Sequence, residues 1–211
     1  MKTNILVTKA IIIFIKNPVI GKVKTRIAKD VGDKIALEIY KKLLIHIHDT
    51  ILKTSNIKLF IYYSDHVNNN DMWNDKRFVK RLQSDGDIGV RMSKALDAVL
   101  QDCDSAILIG SDCAQLSFHH LVEALDNLEN NDIVLGPTFD GGYYLIGMNY
   151  HYPKLFNGIT WSTNTVFSKT EEIIKTLNLS SSHIEKLSDI DYIEDWNKYG
   201  LDNNSVLHGT N

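Results

Sequence analysis

The chain has 211 residues, a formal net charge of −3, 44% hydrophobic residues and 23% charged residues, as is typical of one globular domain. This balance argues against binding of nucleic acid through a general basic surface. Two cysteines, Cys103 and Cys113, are too few and too far apart for a zinc site, and no apolar run approaches the roughly 18 residues of a membrane span. We therefore expect one domain over residues 1–201, a flexible tail over 202–211, no nucleic-acid or membrane partner and a cytoplasmic location.

Predicted strands and helices alternate along the chain. The apolar, β-branched run at 10–15 predicts a strand buried on both faces, and the apolar spacing over 33–52 predicts a helix. Further strands are predicted at 57–63, 105–110, 132–135, 143–148 and 183–187, and further helices at 91–100, 118–128 and 164–177. This order predicts an α/β fold, a three-layer α/β/α sandwich with a mostly parallel central sheet. Ligands of such sheets bind outside the carboxyl ends of the strands.

A basic loop follows the first predicted strand. Residues 16–26 read K-N-P-V-I-G-K-V-K-T-R, and no acid precedes Asp30. A cationic turn between a strand and a helix start is suited to phosphates, with Lys24 and Arg26 facing them and Gly21 allowing close backbone approach. The spacing matches neither a P-loop nor a dinucleotide fingerprint, so a solvated basic turn remains equally open. The expected phosphate-binding residues of this loop are Lys16, Gly21, Lys24, Thr25 and Arg26.

Two carboxylates follow later predicted strands. Asp112 comes directly after the strand at 105–110, and Asp140 begins an Asp-Gly-Gly turn after the strand at 132–135. A hard cation such as Mg²⁺ takes one or two carboxylates together with phosphate oxygens. The alternatives are a helix cap for Asp112 and a plain hairpin turn for Asp140. We expect both carboxylates to bind Mg²⁺ or Mn²⁺ and to be catalytic together with Lys24, while Gly141 and Gly142 let the backbone approach the substrate.

Other segments give weaker signals. Gly86, Asp87 and Arg91 belong to a loop that would line the nucleotide site, or else form an ordinary turn before a helix. The D-I-D sequence at 189–191 adds a carboxylate in one interpretation and is an acidic helix start in the other. The histidines show no shared face, and Cys113 is interpreted as a small buried residue.

Taken in order, these segments resemble a known family. They are I-F-I-K-N-P-V-I-G-K-V-K-T-R (13–26), Q-S-D-G-D-I-G-V-R-M (83–92), L-I-G-S-D-C-A-Q-L (108–116), V-L-G-P-T-F-D-G-G-Y-Y-L-I-G-M (134–148), L-F-N-G-I-T-W-S-T (155–163) and D-I-D-Y-I-E-D-W (189–196). The resemblance is to the bacterial DUF2064 group, often labelled glycosyltransferase and placed among the nucleotide-diphospho-sugar transferases with the GT-A fold. It covers about residues 10–196, and Ala114 stands where a proline is expected.

The resemblance implies a metal-binding Asp112 and contact between the basic loop and nucleotide phosphates. Tyr143 and Trp161 lie in its motifs and are expected to bind substrate. It implies a metal-dependent transferase that binds a nucleotide and a small-molecule acceptor, with a homodimer as a further expectation. Glycosyl transfer from an NDP-sugar is narrowly preferred, because the label follows the whole motif set. The alternative is nucleotidyl transfer from an NTP, as in the similar phospholactate guanylyltransferases, since the loop's charge suits a triphosphate. A non-catalytic nucleotide-binding module is the third hypothesis.

Overall fold

The computed structural model describes residues 8–201, so the tail predicted at 202–211 lies outside the described residues. The described part is an α/β structure. Its strands are β1 (Lys9–Ile15), β2 (Ile57–Tyr63), β3 (Phe78–Leu82), β4 (Ser105–Ile109), β5 (Ile133–Pro137), β6 (Tyr143–Met148) and β7 (Ser181–His183). Its helices are α1 (Thr25–Ile51), α2 (Ile88–Leu100), α3 (Phe118–Asn127), α4 (Val166–Thr176) and α5 (Ile193–Tyr199), with a short 3₁₀ helix at Pro153–Phe156.

Within residues 8–201 the seven strands form one sheet in the order β3-β2-β1-β4-β6-β5-β7. The pairs β1–β2, β2–β3, β1–β4 and β5–β7 are parallel, whereas β6 runs antiparallel to both β4 and β5. The predicted mostly parallel sheet is therefore confirmed. The carboxyl ends of β1 and β4 lie side by side, which brings the loops after Ile15 and Ile109 to the same edge of the sheet.

Apolar side chains on both faces of the sheet hold the three layers together. Along β1, Ile11 and Ile13 pack with α1 and α3, whereas Ile12 and Phe14 pack with α2 and α4. This alternation is what a strand covered by helices on both faces requires. A third cluster joins α5 to α1 and includes the fully buried Trp196. Among residues 8–201, none of the helices combines the length and apolar character needed to span a bilayer.

The structure differs from the predicted elements at several points. Helix α1 begins at Thr25 rather than at 33, because the chain is already helical before a local break at Gly32, where φ is 82° and ψ is 159°. β3 and α5 were not among the predicted strands and helices; both are short and rich in charged residues. The last strand lies at Ser181–His183, since it pairs with β5 from Ile133 onward, and not at 183–187 as predicted.

Candidate active site

The loop between β1 and α1 is built on two left-handed residues. Gly21 has a φ of 75°, a conformation that favours glycine, so this glycine serves the turn itself. Lys24, the residue before α1, also has a left-handed backbone, with φ 48° and ψ 42°. This conformation costs a non-glycine residue about 1–2 kcal/mol. The contacts of the Lys24 side chain must therefore hold it in place.

Lys24 turns into the protein and not into solvent. Its side chain is 5% exposed, its Nζ forms an ion pair with Asp112 Oδ1, and it donates a hydrogen bond to the Ile190 carbonyl oxygen at 2.6 Å. Asp191 Oδ1 lies 4.0 Å from the same nitrogen. A buried ammonium group is tolerated only when it is paired and hydrogen-bonded. The contacts therefore fix a positive charge beside the carboxylate that follows β4.

Tyr40 on α1 fastens the basic loop to the segment that carries Asp112. The Lys16 N–H donates to the Tyr40 hydroxyl at 2.8 Å, and that hydroxyl lies 3.1 Å from both Lys16 O and Ser111 Oγ. Burial, followed by the charge of Asp112, raises the pKa of Tyr40. The hydroxyl therefore stays protonated and can maintain these bonds.

Arg26 adds a second positive charge in the first turn of α1. Its Nη1 lies 2.7 Å from Asp191 Oδ2, and its guanidinium lies over the Tyr192 ring, 5.5 Å from the centroid. The Arg26 side chain is 54% exposed. An ion pair this exposed contributes little by itself, so the guanidinium is free to exchange its partner for a ligand.

These side chains surround one cleft of about 290 Å³. It brings together four of the predicted phosphate-binding residues and one of the two predicted metal-binding carboxylates, Asp112. We refer to this space as the cationic cleft. Its lining consists of Lys16, Val23, Lys24, Thr25, Arg26, Tyr40, Asp112 and Asp191.

A further carboxylate, Asp189, lies next to the cationic cleft. It lines a second cavity together with Asp112, and the Ile190 N–H donates to Asp112 O at 2.9 Å, which joins the two segments. Burial, followed by the charges of Asp112 and Asp140, raises the pKa of Asp189 to about 7. Asp189 was not among the predicted site residues. The D-I-D sequence was the available signal, but it could not be distinguished from an acidic helix start.

The donor set around Asp112 suits a hard divalent cation whose remaining ligands come from a substrate. Among residues 8–201, no three His, Cys, Asp or Glu side chains form a metal-binding group. Asp112 and Asp189 supply two carboxylates, which is the number that Mg²⁺ uses when phosphates and water complete its shell. A metal ion therefore remains a prediction, with Asp112 and Asp189 as the pair that fits it.

Asp140 has one carboxylate oxygen engaged in its own turn. Oδ1 accepts hydrogen bonds from Thr138 Oγ1 at 2.5 Å and from the Gly142 N–H at 3.1 Å. Gly141 has a φ of 90°, and a Cβ there would collide with the backbone oxygen of Asn164. The two glycines thus let this turn form and pack against the segment before α4. The metal-binding role of Asp140 and the substrate contacts of both glycines stay predictions.

The loop before α2 makes mostly internal contacts. Asp87 caps the helix by accepting a hydrogen bond from the Val90 N–H at 2.9 Å. Arg91 Nε donates to Gly86 O at 2.8 Å, and Gly86 itself has a φ of 115°. These bonds define the shape of the loop. Binding of nucleotide by Gly86, Asp87 and Arg91 stays a prediction.

The two aromatic residues predicted to bind substrate lie on the α2 side of the sheet. Tyr143 lines the second cavity with Asp112 and Asp189. Trp161 packs against Gly89 in the first turn of α2, so closely that a Cβ on Gly89 would collide with the indole ring. Trp161 thereby covers the start of α2.

Cys113 does not have the properties of a nucleophile. It is 2% exposed, and burial raises its pKa to about 12. A thiol must ionise to react, so Cys113 is a structural residue, as the sequence predicted.

Comparison with known proteins identifies the family. The sequence model of a family of uncharacterized proteins conserved in bacteria, DUF2064, matches residues 47–163, which is more than half of the chain. The chain belongs to the DUF2064 family. No protein of curated function matches its sequence. The match to DUF2064 contains Asp112, Asp140 and Trp161, whereas the basic loop and Asp189 lie outside it.

Solved structures similar to this DUF2064 chain share its fold. One is a protein from Desulfovibrio desulfuricans G20 described as a candidate nucleotide-diphospho-sugar transferase, with 29% identity, a TM-score of 0.81, and coverage of 89% of this chain and 84% of that one. Another is the 4-diphosphocytidyl-2C-methyl-D-erythritol synthase from Anaerococcus prevotii DSM 20548, with 11% identity, a TM-score of 0.60, and coverage of 92% and 97%. The inositol-1-phosphate CTP transferase from T. maritima has 11% identity, a TM-score of 0.54, and coverage of 97% and 98%.

Proposed function

We propose that this DUF2064 protein is a nucleotide-binding transferase that uses a divalent cation and transfers a nucleotidyl group from an NTP to a small phosphorylated acceptor. The observation that carries the proposal is the cationic cleft, in which Lys16, Lys24 and Arg26 meet Asp112. Three positive side chains in one cleft suit the negative charge of a triphosphate. Two proteins of the same fold support the proposal: one is named an inositol-1-phosphate CTP transferase, and the other is a CMP:2-keto-3-deoxy-manno-octonic acid synthetase in complex with CTP.

In this reaction a phosphate oxygen of the acceptor attacks the α-phosphorus of the NTP. The bond from the α-phosphorus to the bridging oxygen breaks, and pyrophosphate leaves with the electron pair. Lys24 and Arg26 hold the phosphates and offset the charge that develops on the leaving group. A divalent cation on Asp112 and Asp189 would supply further positive charge to the phosphates.

The nucleophile of this reaction needs no general base, because a phosphate oxygen is already ionised. This agrees with the state of Asp140, whose Oδ1 is engaged by Thr138 and Gly142. A hydroxyl acceptor would require a base such as Asp140, one of the predicted catalytic residues. The positive charge around Lys24 and the lack of any need for a base together favour nucleotidyl over glycosyl transfer.

Glycosyl transfer from an NDP-sugar is the second candidate. It is favoured by the similarity to the Desulfovibrio desulfuricans G20 protein, at 29% identity. The two reactions differ in their donor, so donor binding separates them. They also differ in their product, because only nucleotidyl transfer releases pyrophosphate.

The test is calorimetry with the four NTPs and a set of NDP-sugars, each with Mg²⁺ or Mn²⁺. We expect an NTP to bind and to release pyrophosphate only when an acceptor is added. Asp112→Asn should abolish this turnover while preserving the fold. Asp126→Asn, an exposed carboxylate on α3, is the matched control and should leave turnover unchanged. Binding of an NDP-sugar without any NTP would refute nucleotidyl transfer, and full activity of Asp112→Asn would refute the metal assignment.

A further inference from the structure

A second cavity opens beside the cationic cleft on the α2 side of the sheet. It measures about 180 Å³ and lies where β1, β4, β6 and α2 meet. Asp112 lines both spaces, so the two are neighbours across a single side chain. Because the cationic cleft is assigned to the phosphates of the donor, the neighbouring cavity remains for either the acceptor or the nucleoside of the donor.

The walls of this cavity are mainly apolar. Phe14 from β1, Leu108 from β4, Ile146 from β6 and Met92 from α2 all contribute to them. The polar side chains of the lining are those of Asp112, Asp189, Tyr143 and Tyr144.

Neither tyrosine hydroxyl is disposed to serve a ligand. The Tyr144 hydroxyl donates to Glu185 O at 2.9 Å, whereas the Tyr143 hydroxyl, which has no hydrogen-bond partner among residues 8–201, is buried and closed to a ligand. The cavity thus offers charge at Asp112 and Asp189 and apolar surface elsewhere.

This chemistry selects among acceptors. Several hydroxyls of a sugar in this cavity would lose their hydrogen bonds to water and face apolar side chains instead. Each buried hydroxyl without a hydrogen-bond partner costs binding free energy. A nucleobase would face the same difficulty at its polar edge. A hydrocarbon group gains by burial, and an apolar cavity of about 150 Å³ is enough to hold a benzene molecule.

We propose that this cavity binds the apolar body of the acceptor, a compact alkyl or aryl group about the size of a benzene ring, with its phosphate facing Asp112. The proposal rests on the proposed function, because it takes the neighbouring cationic cleft as the donor site. It specifies the acceptor class as a small phosphomonoester of an apolar alcohol or phenol, not a sugar phosphate.

Gly110 provides a way to fill the cavity without disturbing the protein. It follows β4 and lines the cavity, its φ is not left-handed, and a Cβ built on it meets no atom within 4 Å. Gly110→Leu should therefore fold and occupy the cavity, while Gly110→Ala takes little of its volume. Thermal unfolding of both variants checks that the fold is intact.

The experiment is calorimetry with phenyl phosphate, inorganic phosphate and glucose 1-phosphate in the presence of Mg²⁺, without any requirement for turnover. We expect phenyl phosphate to bind the wild-type protein about ten- to a hundredfold more tightly than inorganic phosphate, the gain expected for a buried ring. Gly110→Leu should remove this gain, Gly110→Ala should keep most of it, and NTP affinity should be unchanged in both.

Three results would overturn the proposal. One is equal binding of phenyl phosphate and inorganic phosphate, and another is an unchanged phenyl phosphate affinity in Gly110→Leu. The third is tighter binding of glucose 1-phosphate than of phenyl phosphate, which would assign the cavity to a sugar. A loss of NTP affinity in Gly110→Leu equal to the loss for phenyl phosphate would assign it to the nucleobase and would equally refute the proposal.

Failure of the proposed function gives a different result. If no NTP binds the wild-type protein, nucleotidyl transfer is wrong whatever phenyl phosphate does. A second case is that an NTP binds and releases pyrophosphate with some other acceptor, while phenyl phosphate binds no more tightly than inorganic phosphate. In that case only the proposed acceptor class is wrong.

Discussion

The ion pair between Lys24 and Asp112 places an ammonium group where a divalent cation is expected to bind. The pair is reinforced by the Ile190 carbonyl oxygen and lies beside Asp191. Lys24 thus neutralises the carboxylate before any ligand arrives. A metal ion and Lys24 compete for Asp112, and an incoming phosphate offers Lys24 another partner.

This competition predicts opposite effects of Lys24→Met on two ligands. NTP affinity should fall about ten- to a hundredfold, because charge-assisted hydrogen bonds contribute roughly 1.5–3 kcal/mol. Mn²⁺ affinity of the nucleotide-free protein should rise, because no ammonium competes for Asp112. Calorimetry measures both, and Lys22→Met, an exposed cation of the same loop, should change neither. Unchanged NTP affinity in Lys24→Met would contradict the phosphate role.

The raised pKa of Asp189 predicts that the free energy of unfolding depends on pH. Its pKa in the folded state is about 7, above the ordinary 3.8, so the folded protein keeps this proton between about pH 4 and 7 while the unfolded chain loses it. The free energy of unfolding should therefore fall as pH rises through this window and stay reduced above it. The substitution Asp189→Asn should remove this decrease, because asparagine does not ionise.

We expect Asp189→Asn to be more stable than wild type at pH 8 by about 1–3 kcal/mol, with a much smaller difference at pH 4.5. Urea unfolding at both pH values measures it. Asp126→Asn loses only an exposed ion pair to Lys9 and should show little change at either pH. The Asp189 variant should also lose Mn²⁺ affinity. Equal stability of wild type and Asp189→Asn at pH 8 would contradict the burial of a charge at this position.

The start of helix α1 depends on backbone conformations that the sequence pattern does not reveal. A left-handed lysine at 24 has no local signature, and Gly32 interrupts the helix seven residues after it begins. The helix was therefore predicted only from residue 33 onward, where the apolar spacing is regular. β3 was missed because an edge strand reading F-V-K-R-L lacks the apolar run of the inner strands.

Gly32 tests this description of α1. Its φ of 82° and ψ of 159° lie in a region that is essentially restricted to glycine. Although a Cβ there meets no atom within 4 Å, Gly32→Ala should lower the free energy of unfolding by roughly 1–3 kcal/mol. Lys34→Ala, an exposed site in the same helix, should have little effect in the same urea titration. A stabilised Gly32→Ala would show that α1 runs straight through this position.

The segment between the 3₁₀ helix and α4 is held to α2 by Trp161. Gly89 leaves room for the indole, and Ser162, the next residue after Trp161, has a left-handed φ of 61°. Gly89→Ala should destabilise the protein and shift the Trp161 fluorescence, although alanine favours helices. Adding Trp161→Ala should make the Gly89→Ala substitution neutral or favourable, because the clash is gone. Additive effects of the two substitutions in unfolding experiments would argue against this contact.

The sheet and most of the cationic cleft can be predicted from the sequence, whereas the closeness of Asp189 to Asp112 cannot. Buried strands such as Ala10–Ile15 end in loops that a parallel sheet must bring to one edge, so Lys24 and Asp112 could be placed together. Asp189 arrives there only because α5 packs on α1, a long-range contact without a local signal. Asp140 was preferred for its position after a strand, but its turn uses one of its oxygens.

The contrast between overall and local charge predicts how salt affects binding. The chain carries a net charge of −3, yet Lys16, Lys24 and Arg26 line one cleft. Because the Debye length falls from about 10 Å at 0.1 M salt to about 3 Å at 1 M, NTP affinity should decrease over this range. Replacing the exposed Lys16 and Arg26 by methionine should weaken binding at 0.1 M and flatten its salt dependence, whereas Lys22→Met should leave the slope unchanged. A wild-type affinity independent of salt would mean that the cleft does not bind the triphosphate through its charge.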